Sequence, residues 1–174
     1  MQYCFLFIIF ATLEIMKLKV KSPYLLIFSF TAVIITEVIS SLISAHSLTT
    51  WYQFLHKPSL VPPGFVFGIV WGILYLLMGL SVYLAWRRDK TKSKWAIRTF
   101  FLQLILNLFW SIYFFGFQSI LLGLVDILLL LASIMWTMVL FYKFSKTAVY
   151  LLVPYFLWVC FATYLNYQFL LLNK

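Results

Sequence analysis

Five long apolar runs constrain this chain more than any other feature in it. They cover about Tyr24 to Ser44, Gly64 to Trp86, Trp95 to Phe115, Ile120 to Phe141 and Val149 to Leu172. Crossing the hydrocarbon core of a bilayer takes roughly 20 mostly apolar residues in a helix, and each run supplies them. Phe, Tyr and Ile are frequent in these runs, which in water would favour strands. In lipid the backbone has to satisfy its own hydrogen bonds, so continuous apolar runs of this length are helices. The predicted fold class is an all-α membrane protein, a five-helix transmembrane bundle occupying residues 16–174. Composition agrees with this. Of the 174 residues 65% are hydrophobic and 10% charged, whereas soluble globular domains run at about 45–50% and about 25%. Apolar surface is too plentiful for a disordered chain. Cys4 and Cys160 are the only cysteines, too few for a disulfide scaffold.

The formal net charge of +9 raises the question of nucleic acid. Topology answers it. Lys17, Lys19 and Lys21 precede the first span; Arg87, Arg88, Lys90, Lys92, Lys94 and Arg98 lie between the second and third spans or at the entry to the third; Lys143 and Lys146 follow the fourth. With five spans all of these fall on one side, leaving Lys57 and Lys174 on the other. Positive residues mark the cytoplasmic side, so the N-terminus is expected inside and the C-terminus outside. The long connection from about Ala45 to Pro63 is then also outside. Four or six spans would scatter the clusters. No nucleic-acid partner is expected; the lipid bilayer is. Nor does an internal repeat of 20–50 residues point to an inverted-repeat transporter.

The stretch from Tyr3 to Leu13 is apolar but too short to span. It lacks the basic n-region and small-residue cleavage site of a secretory signal. Met16-Lys17-Leu18-Lys19 reads as an ordinary start of a membrane protein. Residues 1–15 are therefore expected to be an extension outside the native translation product, with an interfacial apolar flap as the alternative.

Polar residues inside the spans locate the bundle interior. In the third span Gln103, Asn107, Trp110, Ser111, Phe114 and Gln118 recur every three or four residues, one face of a helix. The first span has Glu37, Ser40, Ser41 and Ser44, and the fourth Asp126, Leu130, Ser133 and Thr137. Glu37 and Asp126 are the only carboxylates in any span. Each is either protonated structural glue or a functional group. Trp51, Trp86 and Trp95 sit near span ends, where an aromatic belt accounts for them. Trp71, Trp110, Trp136 and Trp158 lie inside spans. Trp71 shares a face with Phe67, Tyr75 and Met78; Trp158 shares one with Pro154, Phe161, Ala162, Leu165 and Asn166. Such stripes serve packing or a ligand. An indole N–H in hydrocarbon needs an acceptor, and the polar face of the third span offers Asn107. Indoles beside Asn and Ser make a pocket for a flat, mostly apolar ligand.

Phosphate-binding, nucleophile-elbow and zinc-protease motifs are missing. His46 and His56 are ordinary loop histidines with no cysteine cluster near them, and Cys160 is a small packer. No metal and no resident cofactor are expected.

The motifs as spaced are Trp51-Tyr52-x-x-Leu55-x-Lys57-Pro58-x-x-x-Pro62-Pro63-x-x-x-Phe67-x-x-Val70-Trp71-x-x-Leu74-Tyr75-x-x-Met78-Gly79, then Asn107-x-x-Trp110-Ser111-x-x-Phe114-Phe115, then Pro154-Tyr155-x-x-Trp158-x-x-Phe161-Ala162-Thr163-x-Leu165-Asn166. In this order and spacing the chain resembles the tryptophan-rich sensory protein family, also called the translocator protein or peripheral-type benzodiazepine receptor family, from about Tyr24 to Asn173. The resemblance implies a five-helix bundle that forms a homodimer. It implies binding of porphyrins such as protoporphyrin IX, of haem, and of isoquinoline or benzodiazepine ligands, in a pocket under the first loop. It also implies, for some bacterial members, light-dependent degradation of protoporphyrin IX. Trp71 and Trp158 match the tryptophans tied to that chemistry, and Asn107 matches a ligand hydrogen-bonding position. The implied ligand-binding residues are Tyr52, Pro62, Phe67, Trp71, Tyr75, Asn107, Trp110, Ser111, Trp158 and Ala162. The proline-rich stretch from Lys57 to Pro63 is stiff and suits a lid, with Lys57 placed to meet a propionate. Leu60 stands where many relatives have Trp, and the first span lacks the glycines many of them carry. No basic residue follows Tyr164 or Tyr167 until Lys174, so the sterol pattern is incomplete and sterol binding is not expected. The expected function is a membrane tetrapyrrole-binding sensor with light-dependent porphyrin degradation; the rival is a transporter of porphyrin or other apolar cargo. The expected location is a bacterial cytoplasmic membrane.

Overall fold

A computed structural model describes residues 22–174 of the chain. The expectations for residues 1–15, Met16, Lys17, Lys19 and Lys21 lie outside the described residues. The apolar runs form five helices: α1 (Pro23–Thr50), α2 (Gly64–Trp86), α3 (Lys94–Ser111), α4 (Ile120–Tyr142) and α5 (Lys146–Leu172). A π-helical turn, Ile112–Gly116, continues α3. A short 3₁₀ turn, Tyr52–Phe54, follows α1. All five helices are long and apolar enough to cross a membrane, and the protein is an integral multi-pass membrane protein.

Local sequence sets the helix ends. Pro23 opens α1, where its missing N–H costs nothing. Ser119 and Ser145 cap α4 and α5 by accepting from Leu122 N and Ala148 N at 3.3 and 3.2 Å. Asp89 Oδ1 accepts from Thr91 N and Lys92 N at 3.0 and 2.9 Å and shapes the α2–α3 turn. The first helix outruns its hydropathy boundary. It continues through Ala45 to Thr50, so the connection begins at Trp51. Hydropathy marks the edge of lipid rather than of helix. Here Thr49 and Thr50 both donate to His46 C=O, at 3.0 and 2.9 Å, and complete the last turn. At 28 residues α1 is about 42 Å long and exceeds the ~30 Å hydrocarbon core.

The helices pack in the ring order α1–α2–α5–α4–α3, with α3 returning to α1. The polarity is that of a membrane protein. Ile34, Ile35, Val38, Leu42, Leu76, Phe109, Leu128 and Leu129 point outward, while Gln103, Asn107, Ser111, Asp126, Thr137 and Asn166 are buried. Trp136 lies within the fourth span as expected and is 60% exposed on the outer face of α4. One placement differs from expectation. Gln118 leaves the polar face of α3, because the helix ends at Gly116 and Gln118 turns the chain in the left-handed region at φ 54°.

Close approach at Gly123 matters most for the site. A Cβ there would lie 3.1 Å from both Asn166 Oδ1 and the Phe114 ring. Gly123→Ala must displace a side chain that anchors Trp110. We expect a loss of about 1–3 kcal/mol, read as a lowered thermal midpoint in detergent. An unchanged midpoint would show that the α4–α5 seam has slack.

Candidate ligand-binding site

Three polar side chains buried in the spans meet in one belt. Tyr75 Oη on α2 donates to Asn107 Oδ1 on α3 at 2.6 Å, and Asn107 Nδ2 donates to Tyr155 Oη on α5 at 3.3 Å. Three helices, α2, α3 and α5, are therefore joined by polar side chains at this level. Tyr75, Asn107, Asp126 and Tyr155 are buried, and Glu37 is half-buried. The hydroxyls and the amide satisfy one another, as buried polar groups in hydrocarbon must.

Aromatic rings stand on this belt along the α2–α5 seam. Trp71 packs on Tyr75 at 5.5 Å between centroids and meets Tyr155 at 6.3 Å, edge to face. Beyond it Phe67 meets Trp158 at 5.6 Å and 71°, and Trp158 touches Phe161 at 5.6 Å. Trp158 Nε1 is shielded from solvent and has no hydrogen-bond partner among the described residues. Ala162, one turn on from Trp158, is half-buried against the core.

A second aromatic cluster seats the loop on the bundle. Trp110 stacks on Phe114 at 5.2 Å and 19°. Tyr52 meets Phe114, Phe115 and Phe169 at 6.4, 5.8 and 5.5 Å. Trp51 lies edge-on to Phe114 at 5.6 Å, so it anchors the loop as well as marking a helix end. Burial pushes the Tyr52 phenol above its usual pKa. The ring is thus neutral, and Lys57 Nζ, 5.1 Å from its centroid, meets it as a cation over a π face. The Trp110 indole finds its acceptor on α5: it donates to Asn166 Oδ1 at 3.0 Å, and Asn166 Nδ2 in turn donates to Ile120 C=O at 2.9 Å. The Asn107 oxygen instead takes the short bond from Tyr75.

The residues singled out from sequence thus divide. The structure brings Phe67, Trp71, Tyr75, Asn107 and Trp158 into one cluster. Tyr52 and Trp110 belong to the loop-seating cluster, Ser111 is buried beside Trp110, and Pro62 is half-buried ahead of α2. Tyr155 and Asn166, which bond to Asn107 and Trp110, were not among the residues singled out. Their place one turn before Trp158 and two turns after it was the available signal.

Comparison with known proteins matches this arrangement to a family. The model of the TspO/MBR family matches residues 25–172. The Tryptophan-rich protein TspO of Archaeoglobus fulgidus is 42% identical over 148 residues, covering 85% of this chain and 96% of that one. Its namesake in Chlorobaculum tepidum is 48% identical over 127 residues, covering 71% and 79%. The human Translocator protein is 42% identical over 120 residues, covering 67% and 71%. A match across nearly all the described residues, with all five helices included, means that this chain belongs to the TspO/MBR family.

Proposed function

We propose that this protein binds a tetrapyrrole, protoporphyrin IX or haem, in the aromatic cleft between α2 and α5, acts as its sensor, and degrades protoporphyrin IX under light and oxygen. The observation that carries this reading is Trp158 Nε1, a shielded donor without an acceptor, set among Phe67, Phe161 and Trp71. A flat macrocycle bearing carboxylates supplies a face for the rings and an acceptor for the indole. Isoquinoline or benzodiazepine ligands, which present aromatic rings to the same side chains, are the other expected guests. Lys57 at the loop meets a propionate. The protein works as a homodimer in a bacterial cytoplasmic membrane, with the basic α2–α3 turn inside and the first loop outside.

Titration of the purified protein with protoporphyrin IX in the dark is expected to quench tryptophan fluorescence to saturation. Illumination in air should then remove the porphyrin band and raise a product band. Quenching without loss of the band leaves a binding protein with no photochemistry. No saturable quenching overturns the reading.

The transporter reading rests on one observation. Asp126 is buried in α4 with its Oδ2 unpartnered among the described residues, and intramembrane carboxylates often couple cargo to protons. Porphyrin flux into liposomes that depends on a proton gradient and is lost in Asp126→Asn would favour it. Gradient-independent flux, or none, would end it.

A further inference from the structure

The connection between α1 and α2 is fastened at its middle to the residue that caps α5. Asn173 Oδ1 accepts from His56 N–H at 2.9 Å, and Asn173 Nδ2 donates to His56 C=O at 3.0 Å. The same amide nitrogen donates to Phe169 C=O at 2.9 Å, which also accepts from the Asn173 backbone N–H at 3.1 Å. One side chain therefore caps its own helix and holds both backbone groups of a residue 117 positions away. Both amide hydrogens are used. A flipped amide would set donor against donor at His56, so the network fixes the orientation. Paired bonds to one residue's N–H and C=O are how an antiparallel strand grips its neighbour, and here a side-chain amide takes the strand's place.

The location of this clasp gives it a consequence. Tyr52 sits against Phe114, Phe115 and Phe169, at the ends of α3 and α5. From His56, clasped at the end of α5, the chain has to return to Gly64 at the head of α2. Residues 57–63 therefore run from the end of α5 to the head of α2, one turn before Phe67, the residue that meets Trp158. Pro58, Pro62 and Pro63 stiffen that crossing, so fixing His56 fixes the strap. We propose that Asn173 is the latch of this strap, a positioning residue that sets how fast the cleft opens to a ligand. The proposal rests on the reading of the α2–α5 cleft as the ligand site.

Two readouts need no ligand. The first is hydrogen exchange of the segment around His56, in the full chain in lipid nanodiscs. The second is the rate at which a water-soluble thiol reagent modifies Phe67→Cys in a Cys4→Ser, Cys160→Ala background. Asn173→Ala removes the clasp. Asn173→Asp keeps an acceptor for His56 N–H but sets a negative oxygen against two carbonyls, so it should release the strap at least as well. Both variants should retain wild-type helicity and raise exchange and thiol modification about tenfold, the worth of two such bonds. Dissociation of protoporphyrin IX should quicken by a similar factor. Unchanged exchange and modification overturn the latch. Faster exchange with unchanged modification and unchanged porphyrin dissociation overturns its control of the cleft. A wild-type protein that does not bind porphyrin defeats the proposed ligand, and the exchange and thiol rates still decide the latch.

Discussion

Replacing Trp71 and Trp158 together by phenylalanine should leave a folded protein that no longer degrades protoporphyrin IX under light. Both indoles are half-buried in the cleft, Trp71 against Tyr75 and Tyr155 and Trp158 against Phe67. Phenylalanine keeps an apolar ring in each place, so packing loses only part of each side chain, about 1–2 kcal/mol per site. The chemistry loses more. A photoexcited porphyrin generates reactive oxygen, and an indole beside it is an oxidisable electron donor that a phenyl ring cannot replace. The Trp158 N–H, the donor without a partner in the protein, disappears as well. Losing one such hydrogen bond weakens dark binding by about 1 kcal/mol, roughly fivefold. The expected result is therefore a split. Dark affinity falls modestly, while loss of the porphyrin band slows to the rate seen in empty nanodiscs. Turnover unchanged in the double variant would remove both indoles from the mechanism. An equal loss of binding and turnover would mean that they only hold the ligand.

The split between what the sequence reveals and what it hides has a physical basis. Helix number and interior faces follow from two strong forces, exclusion of backbone from lipid and burial of polar groups. Asn107, Ser111 and Asp126 therefore lie inside as their spacing predicts. Trp136 escaped that logic because an indole is apolar enough to face lipid, so its presence within a span says nothing about its side. Partner choice inside the bundle depends on the rotation and height of each helix. Sequence periodicity carries neither. Asn107 was the acceptor the polar face offered to an indole, yet it takes the Tyr75 hydroxyl while Asn166 takes the Trp110 indole. The clasp on Asn173 left no trace in the pattern at all. It joins a loop and a helix end 117 residues apart, and no repeat or motif marks either.

Asn107→Leu should be the most destabilising single substitution in the belt. Leucine matches the volume of the side chain, so little cavity forms, and the effect isolates the polar contacts. Asn107 accepts from Tyr75 and donates to Tyr155. Both tyrosines are buried, and after the substitution both hydroxyls would sit in hydrocarbon without this partner. A stranded buried polar group costs about 1–3 kcal/mol, whereas an interhelical hydrogen bond in a membrane contributes on average only about 0.6 kcal/mol net. The larger figure applies to Asn107→Leu, because two groups are orphaned and neither has water to turn to. We expect a loss of about 2–4 kcal/mol, measured by reversible unfolding in bicelles. The cause is then checked by removing the orphans. Tyr75→Phe alone should also destabilise, since it strands the Asn107 oxygen. Added to Asn107→Leu it should instead recover about 1 kcal/mol or more, and so should Tyr155→Phe, whose hydroxyl is stranded in the same way. Strictly additive losses would mean that the belt is a set of independent contacts and that Asn107 acts through packing alone. Recovery by both tyrosine substitutions would identify the belt as the unit that fixes the heights of α2, α3 and α5, and with them the spacing of Trp71 and Trp158 across the cleft.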